Sequence, residues 1–254
     1  MDVSQVRAVV VGGASGMARA TAERIAAMGG KVVILDRAGT AGPEVAEAIG
    51  GHFVECDVTD YVGTEHALNA AVEILGGLDV AVNTAGGGIG KKTLGKDGTP
   101  HDLESFQGCV NLNLIATFNL NRLQAAHMNK NEPNDDGERG VIINTASIAA
   151  FEGQIGQVAY AAAKAGIAGM SLTMARDLGP NGIRVNAIAP SLFMTGALAG
   201  LSDEFLAPLT RDAAFPKRPG KPDEYARLAC AIIDNPMLNG GTIRLDAGQR
   251  FAPK

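Results

Sequence analysis

Ser147, Tyr160 and Lys164 bring a hydroxyl, a phenol and an ammonium into one stretch, SIAAFEGQIGQVAYAAAK. Tyr160 and Lys164 stand four residues apart in an alanine-rich run. On a helix that spacing puts both side chains on one face, one turn apart. An ammonium held beside a phenol stabilises the phenolate and lowers the phenol's pKa from about 10. A phenol that titrates nearer neutral pH exchanges a proton with an alcohol or a carbonyl. The rest of the chain must show whether a site for a hydride carrier sits beside it.

A candidate for that site is the turn Gly12-Gly13-Ala14-Ser15-Gly16-Met17-Ala18, between an apolar run and a helical pattern. Glycines there let the backbone turn sharply and approach a pyrophosphate, whose charge meets the helix N-terminus. The spacing is G-x-x-x-G-x-A, and taken alone it also fits a plain tight turn. Asp36 favours the cofactor: it ends the second strand 20 residues after Gly16, where a carboxylate meets the adenosine ribose hydroxyls. Its charge opposes a 2′-phosphate, so NAD is expected rather than NADP, with Arg37 a solvated neighbour. A second glycine cluster, Gly86 to Thr93, imitates a phosphate loop. It has Ala85 where that loop needs glycine and Lys92 where it needs Ser or Thr. Lys91, Lys92 and Lys96 read instead as a basic rim facing an anionic substrate, or simply as solvated charge.

Short apolar runs alternate with helical patterns along the whole chain. Strands are expected at 7–11, 31–35, 52–56, 78–82, 141–144, 183–188 and 242–245. Helices are expected near 17–28, 43–49, 61–75, 103–128, 158–178 and 222–233, with a polar surface loop at 129–140. Runs such as KVVIL and DVAV are apolar throughout, as strands buried on both faces must be. The alternation predicts an α/β chain: one Rossmann-type, doubly wound domain over 1–254 with about seven parallel strands. In that architecture ligands lie beyond the carboxyl ends of the strands. Asp36, Asp57, Asn83, Ser147 and Pro190 all fall at those ends.

Composition limits the alternatives. The chain has 254 residues, 46% hydrophobic and 19% charged, with net charge −5. That supports a sizeable core and argues against nucleic acid as a general partner. Cys56, Cys109 and Cys230 are isolated, and His52, His66, His101 and His127 are scattered, so no metal is expected. No apolar run approaches the ~20 residues that cross a bilayer. With no secretory or transit pattern at the start, a soluble cytoplasmic protein is expected.

These residues together resemble the short-chain dehydrogenase/reductase family over the whole length. The resemblance rests on GGASGMA, Asp57-Val58, NTAG at 83–86, Asn113, Ser147 thirteen residues before Tyr160, YAAAK at 160–164, and Pro190. The segments NEPNDDGERGVIINTASIAAFEGQIGQVAY and FPKRPGKPDEYARLACAII are similar to a subgroup acting on 3-hydroxyacyl-CoA. Val11, Ala18 and Ser191 depart from the family pattern. The resemblance implies NAD-dependent interconversion of a secondary alcohol and a ketone, foremost 3-hydroxyacyl-CoA and 3-oxoacyl-CoA. A hydroxysteroid or another secondary alcohol is the alternative substrate, and a non-catalytic NAD-binding sensor or scaffold the alternative class. It implies Tyr160 as acid–base, Lys164 on the nicotinamide ribose, Ser147 on the substrate oxygen and Asn113 anchoring a proton-relay water. It implies a cofactor groove built by Gly12, Ser15, Gly16, Met17, Asp36, Asp57, Val58, Asn83, Thr84, Tyr160, Lys164 and Phe193. It also implies a helix-bundle contact between subunits, within a homotetramer, and a substrate loop at about 191–219.

Overall fold

Runs of branched apolar residues form the strands of a seven-stranded parallel sheet. They are β1 (Arg7–Val11), β2 (Lys31–Asp36), β3 (His52–Glu55), β4 (Val80–Asn83), β5 (Gly140–Thr145), β6 (Ile183–Pro190) and β7 (Thr242–Leu245), in the order β3-β2-β1-β4-β5-β6-β7. The computed structural model describes residues 1–198 and 200–253; Ala199, in the expected substrate loop, and Lys254 lie outside the described residues. The helices are α1 (Gly16–Ala27), α2 (Gly42–Ala48), α3 (Tyr61–Leu75), α4 (Leu103–Val110), α5 (Ala116–Met128), α6 (Val158–Leu178), α7 (Asp203–Leu209) and α8 (Pro222–Asp234). The expected doubly wound α/β fold is therefore present.

Alternate strand residues feed two cores. Val10, Ile34, Val82 and Ile143 pack with Ala22 and Ile25 of α1 and Ala229 and Ile232 of α8. Val9, Val33, Ala81 and Ile142 pack with Leu68 of α3, Leu120 of α5 and Met174 of α6 on the opposite face. Burying a Val or Ile side chain stabilises by roughly 1.5–3 kcal/mol, so covering both faces commits the strands to their register. Chain order reverses between β1 and β4, which opens the ligand crevice at the carboxyl ends of those strands.

Two departures from the expected elements matter for the site. The helix expected over 103–128 is interrupted by a π-helical segment, Asn111–Ile115. Its cause is local: Asn113 Nδ2 donates to the Cys109 carbonyl at 2.8 Å, and Thr117 Oγ1 donates to the Asn113 carbonyl at 2.6 Å. Side chains thus occupy carbonyls that a regular helical ladder would use, which widens the turn. The fourth strand begins at Val80 instead of residue 78, and just before it the Asp79 carboxylate accepts from the Arg7 amide and guanidinium at 2.6–2.8 Å.

Candidate active site

A cleft of about 710 Å³ opens at the carboxyl edge of the sheet. Of the expected residues, Gly12, Ser15, Gly16, Met17, Asp36, Asp57, Val58, Thr84, Ser147, Tyr160, Lys164 and Phe193 line it. Asn83 and Asn113 lie behind the wall, buried.

At one end the turn between β1 and α1 is shaped for close approach. Gly12 has φ +82°, and a Cβ there would stand 2.9 Å from Thr84 Oγ1 and 3.1 Å from the Ala85 amide. Gly16 has φ +57°, and a Cβ there would stand 2.8 Å from Thr195 Cγ2. Both are left-handed positions that glycine tolerates. Ser15 precedes α1 without a side-chain cap, so the first amides of the helix have no side-chain oxygen from it. Asp36 Oδ2 accepts from the Ala14 amide at 2.9 Å, which ties this turn to the end of β2. Asp57 accepts from the Thr59 hydroxyl at 2.7 Å and amide at 2.9 Å, and these bonds hold its carboxyl below the usual range. A glycine cradle, uncapped helix amides and a carboxylate at the second strand end fit a dinucleotide.

At the other end stand the three groups with which the chemistry began. Ser147 Oγ accepts from the Ala149 amide at 3.1 Å, capping a short turn while also facing the cleft. Lys164 is 4% exposed, and its Nζ donates to the Thr145 carbonyl at 2.8 Å. Burial pushes its ammonium down to about 8. That Nζ lies 5.6 Å from the centroid of the Tyr160 ring. The expected lowering of Tyr160 by Lys164 is not what this arrangement produces. Burial pushes the Tyr160 phenol above its ordinary value, opposed by the Ser147 hydroxyl. The physical reason is that desolvation penalises both charged forms together, and the ammonium is spent on a carbonyl.

Asn113 acts on the loop after β4. Its Nδ2 donates to the Gly87 carbonyl at 2.8 Å and its Oδ1 accepts from the Gly87 amide at 3.2 Å. A Cβ on Gly86 would come 2.6 Å from Asn113 Oδ1 and 3.4 Å from Lys164 Nζ, so this loop lies tightly against both. Asn83 turns its side chain away from the cleft. Its Nδ2 donates to Asn121 Oδ1, Gln124 Oε1 and Asn144 Oδ1, each at 3.0 Å. In the second glycine run, Lys91 pairs with Asp102, the N-cap of α4, and its amide donates to the Gly156 carbonyl at 2.8 Å.

Two further residues support the site. Thr145 Oγ1 donates to the Asn83 carbonyl at 2.8 Å, so its 2.7 Å bond to Tyr225 must have the phenol as donor. Burial raises the Tyr225 phenol strongly, which keeps it neutral for that role. A chain of bonds thus runs from Tyr225 of α8 to Thr145, whose own carbonyl holds Lys164. Thr145 was detectable as the hydroxyl two residues before Ser147; Tyr225, 80 residues further on, carried no local signal.

The chain is similar to known proteins over nearly its whole length. The family model described as short chain dehydrogenase matches residues 6–204. The human protein named 3-hydroxyacyl-CoA dehydrogenase type-2 is 49% identical, the alignment covering 99% of this chain and 98% of that protein. The protein of that name from Drosophila melanogaster is 48% identical over 96% of this chain and 97% of its own length. The crystal structure of 3-hydroxyacyl-CoA dehydrogenase type-2 from Mycobacterium avium superposes with a TM-score of 0.92 at 44% identity, covering 97% of this chain and 96% of that one.

Two outcomes follow from the geometry. Gly12→Ala is expected to destabilise the protein by about 1–3 kcal/mol in denaturant melts, because a left-handed residue would gain a Cβ against Thr84 and Ala85. Lys164 falls from 10.5 in an exposed chain to about 8 in the fold. The folded protein then binds fewer protons than the unfolded chain between those values. The burial penalty is fully present below pH 8 and is relieved as pH rises toward 10.5. Stability of the cofactor-free protein relative to Lys164→Met should therefore climb across that window; a flat difference would contradict the assignment.

Proposed function

Because the chain belongs to the short-chain dehydrogenase family, an oxidoreductase group that interconverts secondary alcohols and ketones with a nicotinamide cofactor, we propose that it acts on 3-hydroxyacyl-CoA and 3-oxoacyl-CoA with NAD. The observation that carries this reading is the placement of Ser147, Tyr160 and Lys164 in the same cleft as the Gly12–Gly16 turn and Asp36. The relatives' names favour the acyl-CoA substrate over a steroid, and the apolar Leu192, Phe193 and Leu198 along the cleft suit an acyl chain.

Each residue then has a role in the chemistry. Asp36 holds the adenosine ribose hydroxyls and repels a 2′-phosphate, while Asp57 and Val58 flank the adenine. Gly12, Ser15, Gly16 and Met17 wrap the pyrophosphate at the start of α1. Asn83 and Thr84 contribute backbone to the groove, and Phe193 packs at the nicotinamide end. The bound cofactor supplies hydride acceptance and donation. Ser147 orients the substrate oxygen by a hydrogen bond. Tyr160 takes the alcohol proton during oxidation and returns it to the carbonyl oxygen during reduction. Lys164 holds the nicotinamide ribose and adds positive charge beside the Tyr160 ring. Asn113 sets the Gly86–Gly87 loop that borders Lys164, and the relay water assigned to it rests on the family resemblance.

The apolar Leu103, Ile115, Phe118 and Leu172 are 67%, 40%, 48% and 48% exposed on the helices of one face. We infer that they meet a second copy of the chain, within a homotetramer. Among the described residues no helix is long and apolar enough to cross a membrane; residence in the cytoplasm is part of the same proposal.

Tyr160→Phe should retain NADH binding, read by NADH fluorescence, and lose acetoacetyl-CoA turnover by about 100-fold or more, as expected for loss of a general acid. Retained turnover would sink the mechanism. Asp36→Ser should narrow the preference for NADH over NADPH, measured as the ratio of dissociation constants. A monomeric mass by light scattering would refute the subunit contact.

A further inference from the structure

The segment after β7 is fastened on two sides, and the sides belong to different parts of the cleft. On the first side, Gln249 is 3% exposed, and its Nε2 donates to the Leu209 carbonyl at the end of α7 at 2.9 Å. The Ala247 carbonyl accepts from the amides of Ala214 at 2.9 Å and Phe215 at 3.2 Å. On the second side, Arg244 places its terminal nitrogens on the Glu152 carboxylate at 2.8 and 2.9 Å. Its Nε sits on Asp246 at 2.6 Å, and its guanidinium carbon lies 5.1 Å from the Phe151 ring centroid. Arg250 adds a 3.0 Å bond to Asp246 and approaches Glu152 at 3.5 Å. Beyond it, the Pro253 carbonyl accepts from the Ile155 amide at 3.0 Å.

These partners lead into and away from the reacting groups. Residues 151–157 run directly into α6 and Tyr160. Helix α7 and residues 210–215 follow Phe193, Thr195 and Leu198, which line the cleft. Phe193 pairs with Gly220 and closes the base of that excursion. The backbone is strained where the two fastenings meet. Ala247 has φ 53°, the one positive value at a non-glycine among the described residues. A residue with a Cβ keeps such a conformation only where its surroundings over-determine it. At Gly248, a Cβ would come 2.9 Å from Ala214 Cβ, so the segment lies at closest approach to the 213–215 turn.

We propose that residues 246–249, with the Arg244–Glu152 pair, act as a clasp that holds α7 toward the approach to Tyr160 and limits the length of acyl chain admitted. The proposal rests on the acyl-CoA reading of the site. Gln249 and Glu152 are positioning residues, since neither lines the cleft. Leu192, Phe193 and Leu198 line the cleft and the chain runs on from them into α7, so a shift of this excursion to admit a longer chain must carry α7 and requires the bonds to Leu209, Ala214 and Phe215 to open. The bidentate Arg–carboxylate grip fixes the other side, a geometry more rigid than a simple ion pair.

The test uses the full chain with NADH and two variants. Gln249→Glu keeps the shape but sets a carboxylate against the Leu209 carbonyl. Glu152→Gln removes the charge that Arg244 grips. Kinetics with short and longer 3-oxoacyl-CoA esters, NADH affinity and hydrogen exchange over 203–215 are measured together. We expect kcat/KM for the longer ester relative to the shorter to rise about three- to tenfold, the range for loss of one buried hydrogen bond. The change should appear in KM and not in kcat, with NADH affinity unchanged and faster exchange at Ala214 and Phe215. An unchanged chain-length preference overturns the proposal, as does a parallel fall in NADH affinity and in turnover of every ester. Should the unsubstituted protein reduce no 3-oxoacyl-CoA ester, the acyl-CoA reading itself fails. Exchange at Ala214 and Phe215 then decides the clasp, and unchanged rates overturn it.

Discussion

The buried ammonium of Lys164 is the constraint on which the site depends. Its hydrogen-bond partner is a carbonyl, that of Thr145 at 2.8 Å, and not a carboxylate. A dipole offsets only part of the lost hydration, which is why the group falls to about 8. A cation held so weakly stays in place only if its partner does not move. The bonds around Thr145 meet that need: its hydroxyl is anchored to Asn83 and receives the phenol of Tyr225 from the opposite helix layer. Glycine at 86 lets the loop after β4 close over the same lysine. The rigidity of the proton-transfer end is thus drawn from both faces of the sheet.

Asp36 plays the matching part at the nucleotide end, with the opposite economy. Its carboxylate is shared between the Ala14 and Arg37 amides, so one residue shapes the glycine turn and presents charge to the cleft. Each carboxylate oxygen retains lone-pair capacity beyond these bonds. Substitution at Asp36 therefore acts on two things at once, the path of the turn and the electrostatics of the pocket. A glycine turn alone would carry neither.

The fold was legible because its signal is periodic. Continuous apolar runs such as KVVIL and IRVNAIA sit on both-face-buried strands, and the helices between them ended near the glycines and prolines that stop them. The Gly12–Gly16 turn, Asp36 and Ser147 were legible because each lies within a few positions of a strand end, and Tyr160 and Lys164 because they stand four residues apart on α6. Less could be read where side chains reach across the chain. The π segment around Asn113 follows from side-chain bonds to neighbours one turn away, but the grip of Asn113 on Gly87, 26 residues earlier, is one that no local period encodes. Asn83 stands at the right strand end, yet its amide serves a buried cluster with Asn121, Gln124 and Asn144. Tyr225 has the pattern of an ordinary core aromatic, and only the crossing of α8 over β5 reveals its hydroxyl's partner.

The same limit applies to acidity, where spacing and burial act in opposite directions. An i, i+4 pair of Tyr and Lys on an exposed helix would lower the phenol through the cation's field. Here both groups are withdrawn from water, and the penalty on charge outweighs their attraction: the phenol rises and the ammonium falls. Burial accordingly favours the protonated phenol at neutral pH, the form that in the proposed mechanism gives a proton to a ketone oxygen. Removing a proton from an alcohol needs the phenolate, and positive charge added near Tyr160 favours it. Burial thus favours the acid form of Tyr160, and in the proposed mechanism the basic form depends on positive charge beside the ring.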